Sequence, residues 1–161
     1  MIQIGDSIPN VKITVIDSDG QKTVAASEYF AEKKAVLFAL PGAFTPTCSA
    51  THLPGYVVAY DDISAKGIDF IACLSVNDAF VMKAWQDAQN AENITMIADG
   101  GGALTKAMAL ELQTGDFGGT RSSRYSMIID GGKITHLNLE EGGDFKVSDA
   151  QTILEQLSDQ A

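Results

Sequence analysis

The chain has 161 residues, 45% hydrophobic and 20% charged, which is ordinary for a globular protein and long enough to bury a substantial core. A formal net charge of −10 speaks against nucleic acid or an anionic membrane as a partner, because both favour basic patches. With no leader pattern after Met1 and no apolar run long enough to cross a bilayer, the chain reads as one cytoplasmic domain over 1–161. Val11–Ile16 alternates polar and apolar residues and runs into Asp17-Ser18-Asp19-Gly20, a strand and its turn. Ala35–Leu40 and Phe70–Val76 are apolar without alternation, which suits strands covered on both faces. Between them Ser49–Ala65 has helical spacing at Leu53, Val57, Tyr60 and Ile63 and stops at Lys66-Gly67. Asn77-Asp78 caps a second helix through Gln89 that carries Phe80, Val81, Ala84 and Trp85. A short strand at Ile94–Ala98, a turn at Asp99–Gly102 and a short helix over Ala103–Leu110 follow. A glycine-rich loop, Thr114–Thr120, leads to a hairpin of Tyr125–Ile129 and Ile134–Leu139 around Asp130-Gly131-Gly132. Glu140-Glu141 reads as a solvated charge run, and Ser148 as the cap of a last helix with Ile153, Leu154 and Leu157 inward. Strand–helix–strand units followed by a hairpin and a terminal helix indicate a three-layer α/β domain.

The chemistry concentrates at Cys48. The thiol sits between an apolar strand and a helix, in the loop Pro41-Gly42-Ala43-Phe44-Thr45-Pro46-Thr47-Cys48. A helix N-terminus offers unsatisfied N–H groups and the positive end of the dipole, both of which favour a thiolate, the nucleophilic form. Taken alone, such a cysteine is more often a small buried hydrophobe. Two cysteines form no disulfide scaffold. Without a Cys-x-x-Cys, and with only His52 and His136 available, a zinc site is not expected. The glycines at Gly100–Gly102 and Gly115–Gly119 lack the pattern of a phosphate loop and read as turns.

The string Pro41-x-x-x-Thr45-x-x-Cys48, continued by Ser49-Ala50-Thr51-His52-Leu53-Pro54-Gly55-Tyr56, resembles the active-site segment of the peroxiredoxins. His52–Gly55 is similar to the type II, or peroxiredoxin-5-like, subfamily. The likeness continues through Cys73–Met82, Thr105-Lys106-Ala107 and Arg121–Met127, so it covers most of the chain. It implies a thioredoxin-like α/β fold, a central mixed sheet flanked by helices, with N-terminal and inserted extra elements. It also implies a thiol-dependent peroxidase acting on hydrogen peroxide and alkyl hydroperoxides, with no cofactor. Cys48 would become a sulfenic acid. Thr45 would donate to the thiolate or accept from the peroxide proton, Arg124 would stabilise the anion and donate to peroxide, and Pro41 would shield the sulfur. Preferring Arg124 to Arg121 rests on this resemblance alone.

Two positions stay open. His52 can act as an accessory to the sulfur or sit beside the pocket organising backbone contacts. Cys73, in a buried-looking strand, is either packing or a resolving cysteine for Cys48. Some type II relatives carry a further resolving cysteine before the last helix, where this chain reads Glu141–Val147 and has none. A cycle closed by an external thiol is therefore expected, with glutathione, glutaredoxin or thioredoxin as reductant. The resemblance further implies a homodimer with Phe44 near the contact. Competing readings are a cysteine hydrolase using His52 or His136, and a redox-sensing binding or chaperone module oxidised at Cys48 without turnover.

Overall fold

The computed structural model describes residues 1–159. Strands β1 (Lys12–Asp17), β2 (Gly20–Ala25), β3 (Lys34–Ala39), β4 (Phe70–Ser75), β5 (Thr95–Ala98), β8 (Tyr125–Asp130) and β9 (Lys133–Leu139) form one seven-stranded sheet in the order β2-β1-β5-β4-β3-β8-β9. The short strands β6 (Glu111–Gln113) and β7 (Thr120–Ser122) pair separately. β3, β4 and β5 run parallel, whereas β1 and β8 flank them antiparallel. The unit β3–helix–β4, the hairpin β8–β9 and the terminal helix make the thioredoxin-like core. β1, β2 and β5 extend it on one side.

The helices are α1 (Ala26–Phe30), α2 (Leu53–Ser64), α3 (Ala79–Ala88), α4 (Ala103–Ala107) and α5 (Ala150–Ser158). Side chains of β3 alternate between two cores, which is why the strand is apolar throughout. Val36 and Phe38 join Leu53, Tyr56, Trp85 and Ile153 on the face covered by α2, α3 and α5. Ala35, Leu37 and Ala39 join Phe30, Leu104 and Met127 on the other. Phe38 and Tyr56 stack nearly parallel, centroids 4.0 Å apart, and clamp α2 to the sheet beside the reactive segment.

Several expectations are corrected. The single helix over Ser49–Ala65 is a π-helical turn, Cys48–His52, followed by α2. The cause is Pro54 inside the helical stretch. It has no N–H for the Ala50 carbonyl, and its ring would press on that carbonyl, so the turn widens and Leu53 N–H reaches back five residues to Cys48 O. β2 and α1 arise from 20–30, where no periodicity announces them, and the glycine-rich loop is flanked by the ladder of β6 and β7. The short helix ends at Ala107 because Ala109 turns the chain at φ 56°. On α3 the inward residues are Met82, Trp85 and Gln86, whereas Phe80 is 85% exposed. Asp78 alone caps α3, accepting from Val81 N–H at 2.8 Å. Asp149, not Ser148, holds the N-cap position of α5, with no side-chain bond to the helix backbone, and Ser148 is buried in other bonds.

Candidate active site

The site lies at the carboxyl ends of β3 and β4. Helical geometry starts at Pro46, where the fixed φ and missing N–H cost nothing, and the first intrahelical bond joins Ser49 N–H to Thr45 O at 2.9 Å. Cys48 therefore occupies the third helical position, whose N–H has no intrahelical acceptor. The loop before it is held from two directions. Asn77 Oδ1 accepts from Ala43 N–H at 3.0 Å and from Ser75 Oγ at 2.6 Å. Thr45 Oγ1 donates to Gly42 O at 2.7 Å, so its proton is committed and its lone pairs remain. A Cβ on Gly42 would come within 3.1 Å of Thr45 Cγ2 and 3.4 Å of Arg121 Nη1, which accounts for a glycine there. Phe44 is 55% exposed at φ 64°, a left-handed conformation unusual for an aromatic residue. Pro41 is half-buried at the mouth of the loop.

Arg124, just before β8, is 8% exposed and reaches the sulfur: Nη2 donates to Cys48 Sγ at 3.1 Å. Arg121 instead donates to Gly118 O at 3.0 Å and Val76 O at 3.5 Å, bracing two loops without touching the sulfur. Of the two arginines, Arg124 is the one the structure brings to the sulfur. The second Arg124 nitrogen, Nη1, meets His52 Nδ1 at 2.7 Å, and His52 Nε2 lies 3.1 Å from Ser148 O. A guanidinium only donates and a carbonyl only accepts, so Nδ1 is the acceptor and Nε2 carries the proton. Both ring nitrogens are occupied away from the sulfur, which removes His52 as the base of a cysteine hydrolase. The Phe145 ring packs against His52 at 4.9 Å between centroids and lies 5.8 Å from the Arg124 guanidinium carbon. Trp85 Nε1 donates to Ser49 Oγ at 3.0 Å, tying α3 to the same turn.

The chain matches the Redoxin family over residues 3–154. It is 45% identical over 159 residues to Peroxiredoxin-2D of Arabidopsis thaliana, covering 97% of this chain and 98% of that protein. The chain belongs to the type II peroxiredoxins. It is also 46% identical to the chloroplastic Peroxiredoxin-2E-2 of Oryza sativa subsp. japonica, covering 97% of this chain and 72% of that protein. Among solved structures, reduced Prx3 from Vibrio vulnificus in complex with H2O2 superposes with a TM-score of 0.94 at 55% identity, over 98% of this chain and 99% of that one. As in this peroxiredoxin family, the chain is a thiol-dependent peroxidase with Cys48, beside Arg124, as its peroxidatic cysteine.

Both cysteines of this peroxiredoxin are free and fully buried. Cys73 stands in the middle of β4, in register with Phe38 and Met96. Burial, followed by the nearby Cys48, pushes its thiol well above the ordinary range, with Arg124 opposing. Among the described residues no group of His, Cys, Asp and Glu could hold a metal ion, and no helix is long and apolar enough to cross a membrane. Sequence reasoning missed Glu140, Ser148, Phe145 and Asn77. Glu140 is the sharpest correction: far from solvated, it is buried and accepts hydrogen bonds from the loop 146–148. Burial alone would raise its carboxyl, but the Ser148 hydroxyl and the N–H groups of Lys146, Val147 and Ser148 outweigh it and hold it below the ordinary value. The one legible sign was a glutamate closing an apolar strand.

His52 makes the fold acid-sensitive. Burial first, and then the Arg124 charge, lower its pKa from 6.5 to about 3. Between those values the unfolded chain binds a proton that the native imidazole refuses, so stability falls as pH drops from 6.5 toward 3. Urea unfolding midpoints measured across that range are expected to fall for the wild type, and the slope is expected to flatten in His52→Asn.

Proposed function

We propose that this peroxiredoxin reduces hydrogen peroxide and alkyl hydroperoxides at Cys48 and is returned to the thiol by an external thiol. The contact that carries the reading is Arg124 Nη2 on Cys48 Sγ at 3.1 Å. A charged donor at that distance is in place to donate to the incoming peroxide oxygen as negative charge builds on it. The thiolate attacks the hydroxyl oxygen of the hydroperoxide and forms an S–O bond as the O–O bond breaks. The electron pair leaves on the far oxygen, which takes a proton from water. Sulfur is oxidised by two electrons to the sulfenic acid, and the peroxide is reduced to water or an alcohol. Arg124 and the Cys48 N–H donate to the peroxide, and Thr45 Oγ1, with its own proton on Gly42 O, accepts the peroxide O–H. Pro41 walls the sulfur from bulk water. His52 serves Arg124 rather than the substrate. The hydrogen peroxide held by the Vibrio vulnificus protein supports a small hydroperoxide as substrate.

An external thiol, from glutathione, glutaredoxin or thioredoxin, then attacks the sulfenic sulfur, giving water and a mixed disulfide that a second thiol resolves. Cys73 takes no part in this cycle, since it is buried in a central strand and the loop before α5 has no cysteine. Free thiols suit a reducing compartment such as the cytoplasm, and the family match over 3–154 supports a single domain. We place a homodimer contact at the loop that exposes Phe44, a large apolar side chain that a monomer would leave in water.

Trp85, the only tryptophan, is hydrogen-bonded to the reactive turn, and its fluorescence is expected to change when Cys48 is oxidised. Stopped-flow mixing with hydrogen peroxide is expected to show no reaction in Cys48→Ser and a rate lower by about 10²- to 10³-fold in Arg124→Met. Turnover with glutathione is expected to persist in Cys73→Ser; its loss, with the first oxidation step intact, would overturn the external-thiol cycle. Phe44→Asp is expected to shift the sedimentation coefficient from dimer to monomer.

A further inference from the structure

Glu140 ends β9 and opens the loop to α5. Its side chain is 8% exposed, and among the described residues no cation forms an ion pair with it. It accepts instead from Lys146 N–H at 2.9 and 2.8 Å to its two oxygens, from Val147 N–H at 2.9 Å, from Ser148 N–H at 2.8 Å and from Ser148 Oγ at 2.6 Å. Hydrogen bonds of this number can replace the water a buried carboxylate gives up. Their effect is to fix Ser148 from both its N–H and its hydroxyl. The Ser148 carbonyl, oriented in this way, receives His52 Nε2 at 3.1 Å and Tyr56 OH at 2.7 Å. The same loop carries Phe145 onto His52 and Arg124. A continuous set of short bonds therefore runs from Glu140 through Ser148 and His52 to Arg124 and ends at the Cys48 sulfur.

We propose that Glu140 is a positioning residue for peroxide reduction: by fixing Ser148 and Phe145 it holds His52, and through His52 it aims the Arg124 guanidinium at the Cys48 sulfur. The inference rests on the reading of Arg124 as the donor to sulfur and peroxide. A guanidinium with one nitrogen on sulfur keeps that aim only while its other nitrogen has a fixed acceptor. His52 is fixed only while Ser148 O holds Nε2–H. Glu140 never touches the peroxide, and its consequence appears solely in the geometry of Arg124.

The test is a double-mutant cycle on pre-reduced protein, following the hydrogen peroxide step by Trp85 fluorescence so that no reductant enters the measurement. Glu140→Gln is expected to slow that step by about 10- to 100-fold in the wild-type background and by less than about twofold in the Arg124→Met background. The His52 Nε2–H proton resonance, protected from solvent exchange in the wild type, is expected to exchange rapidly in Glu140→Gln. Should that variant fail to fold, Ser148→Ala, which removes only the hydroxyl bond, is expected to show a smaller drop with the same dependence on Arg124. An unchanged peroxide rate in the wild-type background, or an equal slowing in both backgrounds, overturns the proposal and leaves Glu140 as a loop staple. If Arg124→Met itself reacts at the wild-type rate, the parent reading of Arg124 fails, and this proposal with it.

Discussion

A buried guanidinium must find acceptors for its donors inside the protein, because water is no longer there to accept them. Arg124 meets that demand with two soft or neutral partners, a sulfur and an imidazole nitrogen, rather than with a carboxylate. Its positive charge is therefore left uncancelled at the point where negative charge gathers. A carboxylate in the place of His52 would share that charge. A protonated histidine would repel it, which is why the ring is kept neutral by burial and by the guanidinium itself.

The sheet brings these parts together from distant stretches of sequence. β3 delivers the Pro41–Cys48 loop, β4 ends beside it and supplies Asn77, and the start of β8, antiparallel to β3, places Arg124 over the same end. The β9–α5 loop then closes over His52. Arg124 and Asn77 stand at strand ends, so the sheet register fixes them, whereas Cys48 and His52 ride on the turn that follows β3.

The strands of the core were legible because burial on both faces writes itself as continuous apolar sequence, and the hairpin because Asp130-Gly131-Gly132 is turn chemistry. The place of Cys48 between strand and helix made it a candidate, and the resemblance of its whole segment to the peroxiredoxins made it the reactive residue. Arg124 was legible only through resemblance: nothing local distinguishes it from Arg121, and the difference is made by the register of β8 against β3. Glu140 was misread because a pair of acids looks solvated until the backbone donors that curl around one of them are known. The face of α3 that holds Phe80 was misread for a different reason: hydrophobicity says that a residue prefers to be covered, not which surface covers it.

The widened turn at Cys48–His52 has a mechanical corollary. A regular helix would bind this segment to the one after it through a bond from residue 54 to residue 50, but proline has no amide proton to contribute. The sulfur-bearing coil and the long helix behind it therefore share one regular backbone bond fewer at this turn. The bond from Leu53 N–H to Cys48 O carries the join in its place, and Tyr56 on the helix stays seated on Phe38.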